Sequence, residues 1–150
     1  THLCETLDEE QYCQQHFGCS PVEYMESVGW LGPDVWLAHS VHLTDESIAS
    51  LARTGTSVAD CPTSNARLGS GPAHSRDLRD AGVAVGLGVD GAASNEACAL
   101  LEEARHALLF ARAEGQSVPV LVGSHVSWIG SYRPPVLVKD GVSPPHTITR

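Results

Sequence analysis

The hydrophobic pattern from residue 20 onward alternates short apolar runs with amphipathic stretches. The runs "VWLAHSVHL", "TSVADCP" and "VAVGLGVD" have the length of strands, and the third is β-branched and punctuated by glycine. Such runs are typical of strands in a parallel sheet that is covered on both faces. Between the first two runs, Ile48, Leu51 and Ala52 occupy the i, i+3 and i+4 positions of an amphipathic helix.

Capping signals set the ends of two predicted helices. "SPVE" at 20–23 has the form of a capping box, with Ser20 as N-cap and Pro21 at the first helical position. We expect this helix to continue to about Leu31. Thr44 is the predicted N-cap of the next helix, which carries two acids in its first turn and ends at Gly55.

Two further helices are predicted downstream. A short one around "SRDLRDAG" stops at Gly82. Asn95 is the predicted N-cap of a long one. Five residues are expected to share one face of that long helix: Ala97, Leu100, Leu101, Ala104 and Leu108.

The resulting order is strand then helix, repeated at roughly 25 to 30 residues per unit, which predicts a parallel sheet with right-handed crossovers. Four such units fit between His2 and Gly115. A closed (β/α)₈ barrel needs eight units and about 250 residues. The predicted fold is therefore α/β, a partial (β/α)₈ TIM barrel of about four βα units. Prolines interrupt residues 116–150, which lose the pattern and are expected to form an irregular C-terminal tail.

The charge and composition exclude several classes of partner. The 150 residues carry 18 acids and 9 bases, a formal net charge of −9, and have no basic block for nucleic acid or an anionic membrane to bind. No apolar run approaches the roughly 18 residues of a spanning helix, and no signal peptide is recognisable. The five cysteines form no C-x-x-C pair. A cytoplasmic protein with reduced thiols is expected.

Polar residues that could carry chemistry fall at or just after the ends of successive predicted strands. They are His2 with Glu5, His39, Cys61 with Asn65, and Asp90. This edge holds the active site in βα barrels. Each residue also has a plain structural interpretation: His39 as a core histidine bonded to a backbone carbonyl, Asp90 as a turn former, Glu5 as a solvated acid.

Metal chemistry is one interpretation of this set. A catalytic zinc site combines imidazole and carboxylate ligands with an open position for water and a nearby carboxylate that takes the proton. His2, Asp90 and Glu5 supply these residue types. Two good ligands fall short of the usual three, so the remainder must come from elsewhere.

The ordered segments "HLCET", "WLAHSVHL", "CPTSNARLGSG" and "LGVDGAASN" resemble the C-terminal half of a metal-dependent deaminase of the amidohydrolase superfamily. Within the superfamily, "GWLGPDVWLAHSVHL" and "RLGSGPA" are most similar to the 8-oxoguanine deaminase group, which is close to the hydroxyatrazine-type aminohydrolases. The resemblance covers about residues 1–115 and implies barrel strands five to eight. Residues 116–150 show no family resemblance, and a truncated or frame-shifted gene end would explain them.

The resemblance implies roles by position. His2 would be a metal ligand at the end of strand five, and Asp90 a ligand at the end of strand eight and a second proton relay. Glu5 resembles the acid/base of the H-x-x-E motif. His39 resembles the strand-six histidine that polarises the attacked centre or orients the water. The implied cofactor is Zn²⁺ or another divalent transition metal such as Fe²⁺.

The implied reaction is hydrolytic deamination of a purine-type base, 8-oxoguanine to urate plus ammonia. A triazine aminohydrolase and a guanine deaminase are alternatives, and so is an inactive half barrel. Asn65, Ser94 and Asn95 could bind the base edge or simply cap helices and turns. The family's H-x-H pair is absent from the sequence. We therefore expect the isolated chain to be inactive, and to need the N-terminal barrel half or to form a homo-oligomer.

Overall fold

The computed structural model describes residues 1–115, which form a four-stranded sheet and the helices that pack on it. The strands are β1 (His2–Leu3), β2 (Trp36–His39), β3 (Ser57–Asp60) and β4 (Val85–Leu87). The helices are α1 (Leu7–Phe17), α2 (Pro21–Ser27), α3 (Asp45–Thr54), α4 (Pro62–Leu68), α5 (Ser75–Asp80) and α6 (Leu100–Ala113). The predicted tail, 116–150, lies outside the described residues.

All strand pairs are parallel, and the strands lie side by side in chain order, β1-β2-β3-β4. His2 pairs with Ala38, Ala38 with Ala59, and Ala59 with Gly86. The predicted α/β class and parallel sheet are confirmed. A doubly wound sheet reverses its strand order at a switch point, whereas these strands add in one direction, as the wall of a barrel does.

The predicted caps are present. In the capping box, the Ser20 hydroxyl accepts from the Glu23 amide at 3.3 Å, and the Glu23 carboxylate accepts from the Ser20 amide at 2.7 Å. The helix ends at Ser27, however, and does not reach Leu31. Gly29 has a φ of +71°, a left-handed value that turns the chain out of the helix.

Helix α3 follows the prediction closely. The Thr44 hydroxyl accepts from the Ser47 amide at 3.2 Å, and Gly55 is the C-cap. Ile48 and Leu51 are buried. Together with Leu37, Val58 and Leu78, which are fully buried, they belong to the core between the sheet and the helices.

The long helix differs from its prediction. It begins at Leu100, so Ala97 lies outside it, and Leu101 is 84% exposed. Its buried residues are Glu103 and Ala107. The Glu103 carboxylate accepts hydrogen bonds from the backbone amide of Thr63, the hydroxyl of Thr63 and the side-chain amide of Asn95, at 3.0, 2.6 and 2.7 Å. A polar residue therefore faces inward where the apolar pattern predicted leucine.

The sequence pattern does not predict helices α1 and α4. Helix α4 has Pro62 at its first position and Gly69 as its C-cap, but its buried residues are Pro62, Ser64 and Asn65. Because two of these buried residues are polar, the sequence has no apolar stripe that would predict the helix. No helix among residues 1–115 is long and apolar enough to cross a membrane. All five cysteines are free.

Candidate metal and catalytic site

At or shortly after the ends of three of the four strands, the backbone takes a left-handed conformation. Cys4 follows β1 with φ 53°, His39 ends β2 and Ser40 follows it with φ 70° and 50°, and Asp90 lies three residues beyond β4 with φ 58°. This conformation costs an L-residue roughly 1–2 kcal/mol, and such residues concentrate at functional sites. The strained turns lie where the predicted site residues leave the sheet.

The imidazoles of His2 and His39 and the carboxylate of Glu5 form one cluster. One ligand atom from each lies within 4.8 Å of the others. Glu5 Oε2 is 3.4 Å from His2 Nδ1 and 3.6 Å from His39 Nε2. The two imidazole rings meet edge to face, with centroids 4.4 Å apart. Glu5 therefore contacts both histidines.

Asp90 joins this cluster through His39. Its Oδ2 atom is 4.0 Å from His39 Nε2 and accepts hydrogen bonds from the hydroxyls of Ser64 at 2.5 Å and Ser94 at 3.0 Å. Burial alone would raise the pKa of the Asp90 carboxyl. The hydrogen bonds from Ser64, Ser94 and the Gly91 amide outweigh burial, and the net pKa is lowered. These bonds also hold one carboxylate oxygen in place.

Exposure falls from the rim of the cluster inward. The side chains of His2, Glu5, Asp90 and His39 are 61%, 20%, 18% and 0% exposed. His39 Nε2 is buried and has no hydrogen-bond partner among residues 1–115. A buried polar atom without a partner is unfavourable unless water or a ligand supplies one. The Nε2 atom lies between the carboxylates of Glu5 and Asp90.

The donor set fits a divalent transition metal, since imidazole nitrogen and carboxylate oxygen are zinc ligands. The structure groups His2 with Glu5 and His39, whereas the sequence pairs His2 with Asp90 as ligands. All four predicted residues lie in one contiguous site. Their roles as ligands, base or relay stay predictions.

Cys61 does not join them. Its thiol donates to the Ala59 carbonyl at 3.7 Å. Burial, and then the nearby Asp60 and Asp90 carboxylates, raise its pKa to about 12, so it is not a thiolate ligand. A side chain on Gly88 would approach Cys61 Sγ to 3.0 Å, which explains the glycine after β4.

The three residues predicted to bind substrate are almost fully buried: Asn65, Ser94 and Asn95 are 1%, 8% and 2% exposed. Asn65 lies against His39 and Asp60. Ser94 donates to Asp90, and the Asn95 amide donates to the carbonyl of Val89. The polar atoms of all three residues thus have partners within the protein. Substrate contact by them stays a prediction.

Sequence reasoning missed Ser64 and Asp60. Ser64 lies in the first turn of α4 and bonds to both Asp90 and Ser94. Asp60 ends β3. Both residues lie at or just after the end of a strand, as His39 does. The segment "ADCPTSN", in which polar residues follow the strand β3, indicates them as candidates.

The family profile described as "Amidohydrolase family" matches residues 1–122 of the chain. The chain belongs to the amidohydrolase family. The resemblance seen in the four sequence segments is thereby confirmed, and the match extends past the boundary predicted at residue 115. That boundary stays a prediction.

Two curated relatives of the chain are deaminases. The chain is 53% identical over 112 residues to 8-oxoguanine deaminase of Pseudomonas aeruginosa, covering 75% of the chain and 25% of that protein. It is 49% identical over 113 residues to isoxanthopterin deaminase from an unknown prokaryotic organism, covering 75% of the chain and 23% of that protein. The chain thus spans about a quarter of the length of these relatives.

A solved structure supports the fold assignment. Atrazine chlorohydrolase from Arthrobacter aurescens TC1, complexed with zinc, superposes with a TM-score of 0.73 at 36% identity. The match covers 76% of this chain and 25% of that one. Zinc is the metal in this relative.

Proposed function

We propose that the chain is part of a metal-dependent hydrolase that deaminates a purine-type base, converting 8-oxoguanine and water into urate and ammonia. The position of Glu5 carries the proposal: its carboxylate contacts His2 at 3.4 Å and the buried His39 at 3.6 Å, at the ends of adjacent parallel strands. The relatives named above support the reaction type.

The four strands would form part of a (β/α)₈ barrel, as strands five to eight. Their sequential parallel order and the similarity to the chlorohydrolase structure support this assignment. Since the chain matches a quarter of each relative, the remaining strands and metal ligands would come from the rest of the barrel, including an N-terminal half.

His2 and Asp90 would hold the metal, which we propose is Zn²⁺, with Fe²⁺ as the alternative. When bound, such a cation supplies Lewis acidity, which brings the pKa of water near neutrality. Glu5 belongs to the same cluster as the two histidines. Its role is that of the base, because hydrolysis requires a carboxylate that is free to take a proton.

Different residues of the chain carry out the two proton transfers of the reaction. Glu5 takes a proton at Oε2 as the water oxygen bonds to the ring carbon that bears the exocyclic amine. It returns that proton to the ring nitrogen. His39 orients the attacking water by accepting a hydrogen bond from it at Nε2, and Asp90 relays the second proton of that water to the amine. The carbon–nitrogen bond breaks, ammonia leaves, and the ring carbon becomes a carbonyl.

A fused bicyclic substrate of the purine type is favoured over a single-ring substrate by the chemistry that two relatives' substrates share. In 8-oxoguanine and isoxanthopterin, the exocyclic amine lies on a carbon between two nitrogens of a fused bicycle. Guanine has the same arrangement and is a further candidate. A triazine aminohydrolase is the second candidate function, because the zinc-bound atrazine chlorohydrolase is 36% identical.

The test is a chimera of the Pseudomonas aeruginosa 8-oxoguanine deaminase whose matching quarter is replaced by residues 1–115 of this chain. Ammonia release is measured from 8-oxoguanine, guanine and hydroxyatrazine, with zinc content determined on the same samples. We expect turnover of 8-oxoguanine. Faster turnover of hydroxyatrazine would favour the triazine alternative, and no turnover of any substrate would refute the proposal.

The same chimera tests Glu5. Glu5→Gln is expected to retain zinc and to lower kcat by about 10²–10⁴-fold, the usual contribution of general acid–base catalysis. Glu102→Gln on the outer surface of α6 is the matched control and should leave kcat unchanged. An undiminished rate in Glu5→Gln would remove Glu5 from the mechanism.

A further inference from the structure

A line of buried polar side chains runs away from the site behind His39. His39 Nδ1 lies 2.8 Å from Asn65 Oδ1, and Asn65 Nδ2 donates to Asp60 Oδ1 at 3.2 Å. The Ser75 hydroxyl donates to the other Asp60 oxygen at 2.8 Å. His39, Asn65 and Asp60 are 0%, 1% and 5% exposed, so water does not compete for these bonds.

The direction of each hydrogen bond follows from the last acceptor. At pH 7 and above, where Asp60 is ionised, its carboxylate can only accept, so the NH₂ end of Asn65 must face Asp60. The carbonyl end of Asn65 then faces His39. Because a carbonyl cannot donate, the proton of the His39–Asn65 bond must come from Nδ1 of the imidazole. The neutral ring consequently carries its lone pair on Nε2.

That lone pair lies on the atom that faces the site. His39 Nε2 is 3.6 Å from Glu5 and 4.0 Å from Asp90 and is the buried ring atom without a partner among residues 1–115. In the opposite tautomer, Nε2 would present a proton to these two carboxylates. The tautomer therefore decides whether His39 accepts or donates at the reacting centre.

We propose that Asn65 and Asp60 are positioning residues that hold His39 in its Nδ1–H tautomer, so that Nε2 accepts a hydrogen bond or a proton in the site. The effect on catalysis rests on the proposed function. The hydrogen-bond geometry does not. Asn65 thus acts through His39 and does not contact the substrate.

The first experiment uses the chimera and kinetics. Asn65→Leu should lower kcat by about 10–100-fold, the usual effect of removing a partner that orients a functional imidazole. KM should change by less than about threefold, because no substrate contact is lost. Gln14→Leu, which removes an exposed amide from α1, is the control and should change neither constant. A raised KM at constant kcat would overturn the proposal in favour of substrate binding.

A rescue pair separates positioning from folding. Asn65→Asp alone places two carboxylates against each other and should lower kcat as Asn65→Leu does. Adding Asp60→Asn restores the line, since the new carboxylate accepts from His39 Nδ1 and the new amide donates to it. The double variant should regain kcat to within about tenfold of the unsubstituted chimera. A double variant no faster than Asn65→Asp would overturn the proposal.

A spectroscopic measurement is independent of turnover. In the chimera with ¹⁵N-labelled histidine, the His39 signals are those lost in His39→Gln. We expect a protonated Nδ1 and an unprotonated Nε2, and a mixture of tautomers in Asn65→Leu. A protonated Nε2 in the neutral ring of the unsubstituted chimera would overturn the inference. A chimera with the expected tautomer but no turnover would refute the proposed function alone.

Discussion

Asp60 should make the protein less stable as the pH rises, and its replacement by asparagine should remove this effect. Burial, which is the dominant cause, raises the pKa of Asp60 from 3.8 to about 6, with a smaller contribution from the Glu103 carboxylate. The hydrogen bond from Ser75 and the Cys61 amide oppose this rise. The folded state therefore binds the proton more tightly than the unfolded state does.

The sign and size follow from linkage. The stabilisation is complete below the unfolded pKa of about 3.8 and is lost as the pH rises through about 6. A rise of about two pKa units corresponds to roughly 3 kcal/mol, of which roughly 2 kcal/mol falls between pH 4 and pH 7.5. Asp60→Asn lacks this titration. Its stability relative to the unsubstituted protein should rise by that amount across the interval.

The assay compares thermal unfolding midpoints of the chimera and its Asp60→Asn variant at several pH values between 4 and 7.5. All other titrating groups are shared, so the difference between the two midpoints isolates Asp60. It should move in favour of the variant with rising pH, while kcat of the variant falls about 10–100-fold because the line to His39 loses its fixed direction. A midpoint difference that is constant with pH would refute the reasoning.

Three further predictions follow from the site and the fold. Asp90→Asn in the chimera should lower both zinc content and rate, by at least ~10-fold in rate, whereas Glu5→Gln should spare zinc; equal zinc in both would argue against Asp90 as a ligand. The isolated 150-residue chain should show no deaminase turnover and should self-associate in light scattering, because β1 and β4 each pair on one side only in the described sheet; a cooperative, active monomer would contradict this. Ser20→Ala should lower the free energy of unfolding by about 1 kcal/mol in denaturation of the chimera, with Ser27→Ala as a control that keeps the capping box.

The parts of the fold that sequence predicted are those with a strong local cause. Ser20 and Thr44 accept from backbone amides three residues away, so their role depends on nearby sequence alone. The runs at 36–39 and 57–60 form strands that are buried except at Trp36, as their short apolar patterns predict. Helix α6 shows the limit of this reasoning. Its inward face was mispredicted because Glu103 is satisfied by Thr63, 40 residues earlier.

The candidate site likewise has features that the sequence predicts and features that it does not. The placement of His39 at the end of β2 and of Asp90 shortly after β4 follows from the strand pattern and from the rule that barrel chemistry lies at that edge. The hydrogen bond of His39 to Asn65 spans 26 residues and depends on the rotamers of both side chains. No periodicity encodes such a pairing. The sequence therefore suggested substrate binding for Asn65, and the atomic structure suggested a different role.

The buried carboxylate of α6 determines which piece of the chain can be exchanged between barrels. Glu103 bonds to Thr63 at the start of α4 and to Asn95 in the loop that follows Asp90. The start of α4 and the loop after Asp90 are therefore both held by one residue of a later helix. In recombination between family members, a crossover placed between residues 95 and 103 would separate Asn95 and Thr63 from the helix that fixes them. The segment from the end of β3 through α6 should therefore be exchanged as one piece. A library of recombinants that keeps this segment intact should yield more folded proteins than a library with a crossover at each strand.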